Sequence, residues 1–210
     1  MIAQGSRDYF EAVSAEWDSM SNSFFGEAPR ENIFESLEFK IGQIVVDLGC
    51  GTGYLTEKVP LDQVSVIAID QSQEMLTTMR EKFGPNAPID YRVGLADNLP
   101  IDSNSVDVVM SNMYLHHVED PQLAIAEMGR ILKPGGKMIL SDLRSHDYEF
   151  LRTEHHDRWM GFEADAVVSW MMKAGLKDVT ISDVGGNCCA SSNCSNEIAK
   201  VDIFMAIGKK

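Results

Sequence analysis

Three glycines stand at alternate positions, Gly49, Gly51 and Gly53, directly after an apolar run that ends in an acid, Asp47. Glycine adopts backbone conformations that other residues avoid, and it lets the main chain approach a ligand closely. Residues 54–59 then have the pattern of a helix start. A strand, a glycine loop and a helix N-terminus in succession present free backbone N–H groups to a ligand. This arrangement predicts a site for a nucleotide-like cofactor.

A second acid, Asp70, ends the apolar run of residues 66–69, about one βαβ unit after the glycine loop. A carboxylate at such a strand end can accept hydrogen bonds from both hydroxyls of a ribose. The rival interpretation is a dinucleotide-binding dehydrogenase, whose fingerprint is G-x-G-x-x-G. Here the third glycine comes one position early and Tyr54 follows it, so the spacing argues against the dehydrogenase.

Three of the four cysteines form a second group with possible chemistry. Cys188, Cys189 and Cys194 lie within residues 185–194, a segment rich in Gly, Ser and Asn that predicts a flexible loop. Thiolates close together favour a soft metal or metalloid, although the spacing does not match the paired C-x-x-C of zinc sites. Ordinary loop thiols remain the alternative. Cys50 lies inside the glycine loop, where a small residue suffices.

Composition limits the classes of function. The 210 residues are 44% hydrophobic, which is enough for one sizeable core, and 32 acids against 18 bases give a net charge of −14. Such a chain would be repelled by nucleic acid and by anionic membranes, and it has no basic patch to offset this. Neither a leader-like N-terminus nor an apolar run of about 18 residues is present. We therefore expect a cytoplasmic protein without a nucleic-acid or membrane partner, whose thiols are reduced.

The N-terminal segment has the pattern of amphipathic helices. Apolar and aromatic residues recur at helical spacing through residues 6–40, and residues 9–17 are rich in aromatics. Residues 21–23 and Gly26 predict a break between two helices. We predict that residues 1–40 form a helical lid over a small-molecule pocket. The alternative is that the same aromatics serve only to pack helices on the sheet.

Strand and helix patterns then alternate along the chain. A helix is predicted to begin after Ser72 as N-cap and another at Pro121, while residues 133–136 predict a turn. A last helix covers about residues 164–174, with Gly175 after it. The strand-like runs lie at residues 64–70, 89–93, 106–110, 137–141, 179–184 and 201–207. This order predicts an α/β fold with βαβ units and a closing antiparallel hairpin.

Five motifs, in this order, resemble those of class I S-adenosylmethionine-dependent methyltransferases of the ubiquinone/menaquinone-biosynthesis-like branch. Any one motif could arise by chance, but five at the right intervals are specific. The resemblance covers about residues 40–142. The motifs are residues 47–53 (DLGCGTG), Asp70, residues 98–101 (NLPI), residues 107–109 with 115–118 (DVV and LHHV), and residues 132–136 (LKPGG).

The resemblance implies a Rossmann-like, seven-stranded, mostly parallel sheet with one antiparallel edge strand and helices on both faces. It implies a methyltransferase domain at residues 41–210, with S-adenosyl-L-methionine as cofactor. By position in the motifs, Asp47 would lie near the methionine ammonium group and Asp70 on the ribose. The cofactor-binding residues so implied are Asp47, Gly49, Cys50, Gly51, Gly53, Asp70, Gln71, Leu95, Ala96, Asp97, Ser111 and Asn112.

One position departs from the family pattern. Related sequences usually have an acid four residues before Leu-Pro that binds the adenine amino group, and here that position is Leu95. Ala96 can still offer a backbone N–H to adenine, and Asp97 can take the amino group if the loop shifts.

Methyl transfer from a sulfonium depends mainly on the position of the acceptor, and a base is needed only if the acceptor is protonated. The candidates are His116 and His117 after the fourth strand, with His146 and His155 after the fifth. For the first pair, a structural or cofactor-pocket role is the competing interpretation. Residues 145–162 form an insertion before the last helix, and we predict that this segment faces the substrate.

The function predicted is a methyltransferase (EC 2.1.1.-) that acts on a small-molecule acceptor. Two alternatives stay open. One is a methyltransferase that acts on a thiol-bound metalloid such as arsenite, whose lone pair needs no base. The other is a non-catalytic cofactor-binding sensor of soft metals.

Overall fold

The computed structural model describes residues 2–192 and 194–210 and is built around one sheet of seven strands. The strand order is β3-β2-β1-β4-β5-β7-β6, with β4 in the centre and β1 beside it. The bounds of the strands are β1 Ile44–Leu48, β2 Ser65–Asp70, β3 Ile89–Val93, β4 Val106–Asn112, β5 Leu132–Leu143, β6 Lys177–Ser191 and β7 Ile198–Lys209.

Strands β1 to β5 pair in parallel, whereas β7 runs antiparallel to both of its neighbours, β5 and β6. The predicted fold class is confirmed, and the antiparallel pairing lies at the predicted edge of the sheet. The reversed strand itself is β7, one place in from the edge strand β6. Because the carboxyl ends of parallel strands meet at one edge, Asp70 and Asn112, at the ends of β2 and β4, lie on the same side of the molecule as the loop after β1.

Helices cover both faces of the sheet. One buried cluster joins the sheet to α2, α3 and α4 through Phe25, Ile33 and Met79, and a second joins it to α5 and α7 through Ile125 and Val167. The helices are α1 Ile2–Val13, α2 Trp17–Phe25, α3 Ala28–Glu35, α4 Gln73–Phe83, α5 Pro121–Ile131, α6 Phe150–Glu154 and α7 Ala164–Lys173, with short 3-10 turns at Thr56–Lys58 and Leu115–His117.

Two helix starts confirm the predictions from capping residues. The Ser72 hydroxyl accepts a hydrogen bond from the Met75 amide at 3.2 Å and caps α4. Asp120 caps α5 in the same way, with Pro121 as the first helical residue. In both cases the side chain satisfies an amide that the helix itself leaves without a partner.

Four local predictions were wrong. Residues 21–23 do not break a helix, because α2 continues through them to Gly26. Residues 54–59 contain only a 3-10 turn instead of an α-helix start. Residues 133–136 do not form a turn before a strand but a bulge within β5, where the pairing with β4 shifts register. In the predicted flexible loop, residues 185–191 belong to β6.

None of the helices in the described residues is long and apolar enough to cross a membrane.

Candidate active site

The loop after β1 brings the backbone close to its neighbours. Gly49, Gly51 and Gly53 all have positive φ, at 68°, 52° and 94°. A Cβ atom on Gly49 would lie 2.2 Å from Cγ of Tyr114, and one on Gly51 would lie 3.2 Å from the indole nitrogen of Trp17. Both the conformation and the space therefore require glycine at Gly49.

The two strand-end acids lie on either side of this loop. Asp47 is 1% exposed, and its carboxylate accepts a hydrogen bond of 2.7 Å from the Thr56 hydroxyl. Asp70 accepts hydrogen bonds of 2.9 Å from the backbone amides of Gly51 and Ser72. These two amides fix the orientation of the Asp70 carboxylate against the loop.

Burial dominates the electrostatics of both acids. It raises the pKa of Asp47 to about 7, although the hydrogen bonds from Thr56 oppose the shift and the nearby Asp70 adds to it. Burial also raises the pKa of Asp70, and the amides of Ser72 and Gly51 counteract this. Two acids with few compensating partners make the site favourable for a cationic group.

A cavity, here called the loop cavity, opens between the glycine loop and the N-terminal helices. Asp47, Asp70, Gly49 and Gly51 form one wall. The other residues that line it are Phe10, Trp17, Phe25, Cys50, Tyr54, Leu55, Gln71, Met75, Asn112, Met113, Tyr114 and His117.

A second cavity, the edge cavity, adjoins the loop cavity, because Gln71, Tyr114 and His117 line both. Leu95, Ala96 and Asp97 line its far side. The two cavities together extend from Asp47 at the end of β1 to the segment after β3.

A third cavity, the apolar cavity, lies on the other side of the same N-terminal helices. It shares Phe10, Trp17, Phe25, Met113 and His117 with the loop cavity. Its remaining walls are mostly hydrophobic side chains, with a polar edge. These residues are Tyr9, Phe24, Leu143, Leu151, Cys188 and Ala190, and on the polar edge His116, His155 and Asp157.

The polar edge is a buried cluster of imidazoles and carboxylates. Nδ1 of His116 lies 2.7 Å from Asp142, which also accepts a hydrogen bond of 2.7 Å from the Leu115 amide. Nε2 of His116 and Nδ1 of His117 each lie 3.9 Å from the same carboxylate oxygen of Asp157. Asp142 therefore fixes the His116 ring so that its other nitrogen faces Asp157.

The surroundings shift the pKa values of the two histidines in opposite directions. Burial alone would lower the pKa of His116, but Asp142 and Asp157 together raise it to about 9. Burial and the neighbouring His116 hold the pKa of His117 well below its usual range. Burial raises the pKa of Asp157 to about 6, although His116 opposes the shift.

The insertion before α7 holds this cluster together. The backbone amides of Arg158 and Trp159 donate hydrogen bonds of 2.9 and 3.1 Å to the His116 carbonyl oxygen. The Trp159 indole donates another, of 3.0 Å, to the carbonyl of Val118. These bonds bring Asp157 against a turn that lies about 40 residues earlier in the chain.

The comparison with known families agrees with this architecture. Residues 46–140 match the family described as "Methyltransferase domain", which covers the glycine loop, both strand-end acids and the His-His turn. Residues 46–140 of this chain are therefore a methyltransferase domain.

Curated relatives of this methyltransferase include quinone-type enzymes. It is 29% identical over 188 residues to the demethylmenaquinone methyltransferase of Paenarthrobacter aurescens, covering 77% of this chain and 73% of that protein. It is 31% identical over 182 residues to 2-methyl-6-phytyl-1,4-hydroquinone methyltransferase 1, chloroplastic, of Oryza sativa subsp. japonica. This match covers 84% of this chain and 54% of that protein. The chain spans 38% to 57% of the length of several other curated relatives that it matches.

A solved structure shares the whole fold. Haemonchus contortus phosphoethanolamine N-methyltransferase 2, in complex with S-adenosyl-L-methionine, superposes with a TM-score of 0.77 at 17% identity. The superposition covers 98% of this chain and 60% of that one. At this identity the likeness concerns the fold.

The structure brings most predicted cofactor residues of this methyltransferase to the loop and edge cavities. Two do not line either cavity. Gly53 packs on α4, where a Cβ atom would lie 2.6 Å from the Phe83 ring. The Ser111 hydroxyl donates a hydrogen bond of 2.9 Å to the Leu48 carbonyl, so it ties β4 to β1.

Three of the four candidate histidines line the apolar cavity. His116 and His117 lie next to Asp157, and the ring of His155 packs against Phe24. His146 lies away from the three cavities, and its Nδ1 accepts a hydrogen bond from the Tyr148 amide.

The cysteines predicted to bind a soft metal are not brought together. Cys188 and Cys189 occupy successive positions of β6, and successive side chains of a strand point to opposite faces. Cys188 is buried in the apolar cavity, while Cys189 and Cys194 are exposed. Within the described residues, the one group of metal-ligating side chains that converges consists of His116, His117 and Asp157.

Two residues of the site were missed in the sequence. Asp142 follows the apolar part of β5 and is fully buried, and Tyr114 lines both the loop and the edge cavities. The position of Asp142 at a strand end was the available signal, the same one that singled out Asp47 and Asp70. Nothing local distinguished Tyr114.

Proposed function

We propose that this protein transfers a methyl group from S-adenosylmethionine to a small acceptor that carries an apolar, ring-containing body. The observation that supports the proposal most is the shared wall between two cavities of different character. The loop cavity carries two buried acids, and the apolar cavity next to it is lined by aromatic and aliphatic side chains.

The residues of the loop and edge cavities fit the cofactor. The cofactor, when bound, supplies a methyl group on a positively charged sulfur and presents an ammonium group, a ribose and an adenine. Asp47, buried with one side-chain hydrogen bond, would accept from the ammonium group. Asp70 has lone pairs beyond those used by the Gly51 and Ser72 amides, and these would accept from the ribose hydroxyls. The adenine would lie near Ala96 and Asp97.

The apolar cavity fits an uncharged acceptor. Methyl transfer requires the attacking atom to lie in line with the methyl group and the sulfur, so most of the catalysis is positioning. Phe10, Trp17 and Met113 line both cavities and would hold the acceptor against the methyl group. The acceptor's polar atom would then face His116, His117 and Asp157.

The relatives favour the same class of acceptor. Their names indicate a demethylmenaquinone and a 2-methyl-6-phytyl-1,4-hydroquinone, both ring systems with oxygen substituents. We therefore propose hydroquinone-like or phenolic rings as the first class to test.

The N-terminal helices would act as a lid. Phe10 packs edge-on against His117 at 4.9 Å between ring centroids, and Trp17 packs against Phe10. Closing these aromatics over the methyl group would exclude water from the acceptor.

The test is formation of S-adenosylhomocysteine with a panel of hydroquinones, phenols, alkylamines and arsenite. We expect turnover with a ring acceptor. The variant Ala190→Phe, which fills the apolar cavity from β6, should raise the KM for the acceptor at least tenfold and leave the affinity for S-adenosylhomocysteine unchanged.

Two results would contradict the proposal. Binding of S-adenosylhomocysteine without turnover of any acceptor would favour a non-catalytic cofactor-binding module. Turnover with arsenite alone would favour the metalloid alternative.

A further inference from the structure

We propose that His116, His117 and Asp157 form a binding site for a divalent transition-metal ion whose open coordination positions face the apolar cavity. Nε2 of His116, Nδ1 of His117 and a carboxylate oxygen of Asp157 all lie within 4.8 Å of one another. Two imidazoles and one carboxylate are a common ligand set for zinc and for iron(II), and such sites leave positions open for another molecule.

Asp157 is the first independent observation. Its side chain is only 5% exposed, yet no hydrogen bond to its carboxylate comes from the described side chains of residues 6–192 and 194–210. The nearest cationic or donor groups are the two imidazole nitrogens, and 3.9 Å is too long for a hydrogen bond. A buried carboxylate that accepts no hydrogen bond is costly, and the His116 imidazole at 3.9 Å offsets this cost less than a directly bound cation would.

Asp142 provides the second independent observation. It holds Nδ1 of His116 at 2.7 Å and is itself fixed by the Leu115 amide. A carboxylate behind a metal-ligating histidine fixes the ring and directs the other nitrogen to the ion. The arrangement from Asp142 through His116 to the centre of the cluster has this form.

The distances require only a small closure. Zinc holds nitrogen and oxygen ligands at about 2.0–2.2 Å, so donor atoms in a tetrahedral site lie about 3.4 Å apart. A shift of the Asp157 carboxylate by about half an ångström would bring its oxygen from 3.9 Å to this separation from each imidazole nitrogen. The competing partner of His117 is the His156 carbonyl oxygen, 3.4 Å from Nδ1, which is a weak contact.

The three ligands also line the apolar cavity, so the open positions of the ion would face the acceptor. An acceptor with a hydroxyl or carbonyl oxygen is the class that such an ion would select. This role in selecting the acceptor depends on the proposed function, whereas binding of the ion itself does not.

The test is calorimetric titration of the full chain, stripped with a chelator, with Zn²⁺ and separately with Mg²⁺. We expect one equivalent of Zn²⁺ and at least tenfold weaker Mg²⁺ binding, because magnesium prefers oxygen ligands. Asp157→Asn and His117→Ala should each weaken Zn²⁺ binding at least tenfold. Asp142→Asn should weaken it about 10–100-fold without removing a ligand.

Three controls separate this site from others. His146→Gln, a histidine outside the cluster, should bind Zn²⁺ as the wild type does. Binding must persist in Cys189→Ser/Cys194→Ser, since loss there would assign the ion to the exposed thiols and overturn the proposal. Thermal melting followed by circular dichroism reports folding of each variant. The S-adenosylhomocysteine affinity of Asp157→Asn and Asp142→Asn tests the cofactor site independently, because neither residue lines the loop or edge cavity.

The proposal is overturned if the wild type shows no saturable Zn²⁺ binding or if Asp157→Asn binds equally tightly. Co²⁺ provides a second measurement. Its visible absorption should appear on binding to the wild type and be lost in Asp157→Asn, and absorption that persists in the variant would also overturn the proposal.

Discussion

Asp47 shows how a single residue links stability to binding. Burial raises the pKa of its carboxyl from an ordinary 3.8 to about 7. This shift corresponds to a cost of roughly 4 kcal/mol for ionising the group in the folded protein. Because the folded pKa lies above the unfolded one, the stabilising contribution is present at low pH and is lost as the pH rises to about 7. Above pH 7, the empty site therefore carries an ionised acid at a cost in stability. A cation in the site would offset that cost.

The first prediction concerns the pH dependence of cofactor binding. Between pH 5.5 and 7, binding of S-adenosylhomocysteine should release one proton from Asp47, so affinity should rise by up to about tenfold per pH unit. Titration calorimetry across this range measures it. The groups close to Asp47 are Asp70, Cys50 and Thr56, and the comparison with Asp47→Asn separates their contribution.

In Asp47→Asn, the pH dependence should disappear and the affinity should fall. At pH 8 the same variant, without cofactor, should have a higher free energy of unfolding than the wild type, by up to about 4 kcal/mol, because no charge is buried. A less stable variant at pH 8, or an unchanged pH profile, would show that Asp47 does not carry the charge.

Among single residues, the acids at the ends of strands were the site residues that the sequence predicted most directly. Asp47 and Asp70 each follow an apolar run, and both line the loop cavity. The contacts of His116 with Asp142 and Asp157 could not be predicted from the sequence, because these acids lie 26 and 41 positions away. Sheet pairing brings Asp142 to the histidine, and the insertion brings Asp157. Spacing along the chain does not encode such contacts.

At the element scale, α1 and α2 line the loop and apolar cavities with side chains that are mostly not fully buried. α1 and α2 are mostly half-buried or exposed, whereas Arg30 and Ile33 in α3 are buried. Asp18 in α2 connects this helix to the glycine loop and to α4 through the Thr52 hydroxyl and Lys82.

The second prediction is that deletion of residues 1–24 leaves a folded domain with at least tenfold weaker binding of S-adenosylhomocysteine. The physical reason is that water would enter the loop cavity where Phe10 and Trp17 now lie. Circular dichroism with thermal melting and calorimetry measure both parts. Trp17→Ala is the milder matched variant. An unfolded deletion product would instead show that these aromatics belong to the core.

Element boundaries were predictable where a side chain caps a helix and not where tertiary pairing decides. The side chains of Ser72 and Asp120 each fix the start of a helix by accepting a hydrogen bond from a backbone amide in its first turn. Residues 133–136 look like a turn, yet pairing with β4 and β7 keeps them in β5 as a bulge. Cys188 and Cys189 have loop-like neighbours but pair with β7 in a long hairpin.

At the scale of the whole molecule, the sheet topology decides where function can lie. Parallel strands on both sides of β1 direct their carboxyl ends to one edge, and the order reverses there between β1 and β4. The loop, edge and apolar cavities all open at this edge. The alternation of strands and helices made this edge predictable, whereas the apolar cavity depends on the N-terminal helices and the insertion folding over it.

The most direct test of the account is titration of S-adenosylhomocysteine into the wild type, Asp70→Asn and the exposed control Asp62→Asn. We predict one equivalent bound by the wild type and by the control. Asp70→Asn should lose roughly 1.5–3 kcal/mol of the binding free energy, because the variant replaces a charged hydrogen-bond acceptor with a neutral one. No saturable binding by the wild type, or equal affinity in a folded Asp70→Asn, would contradict the account.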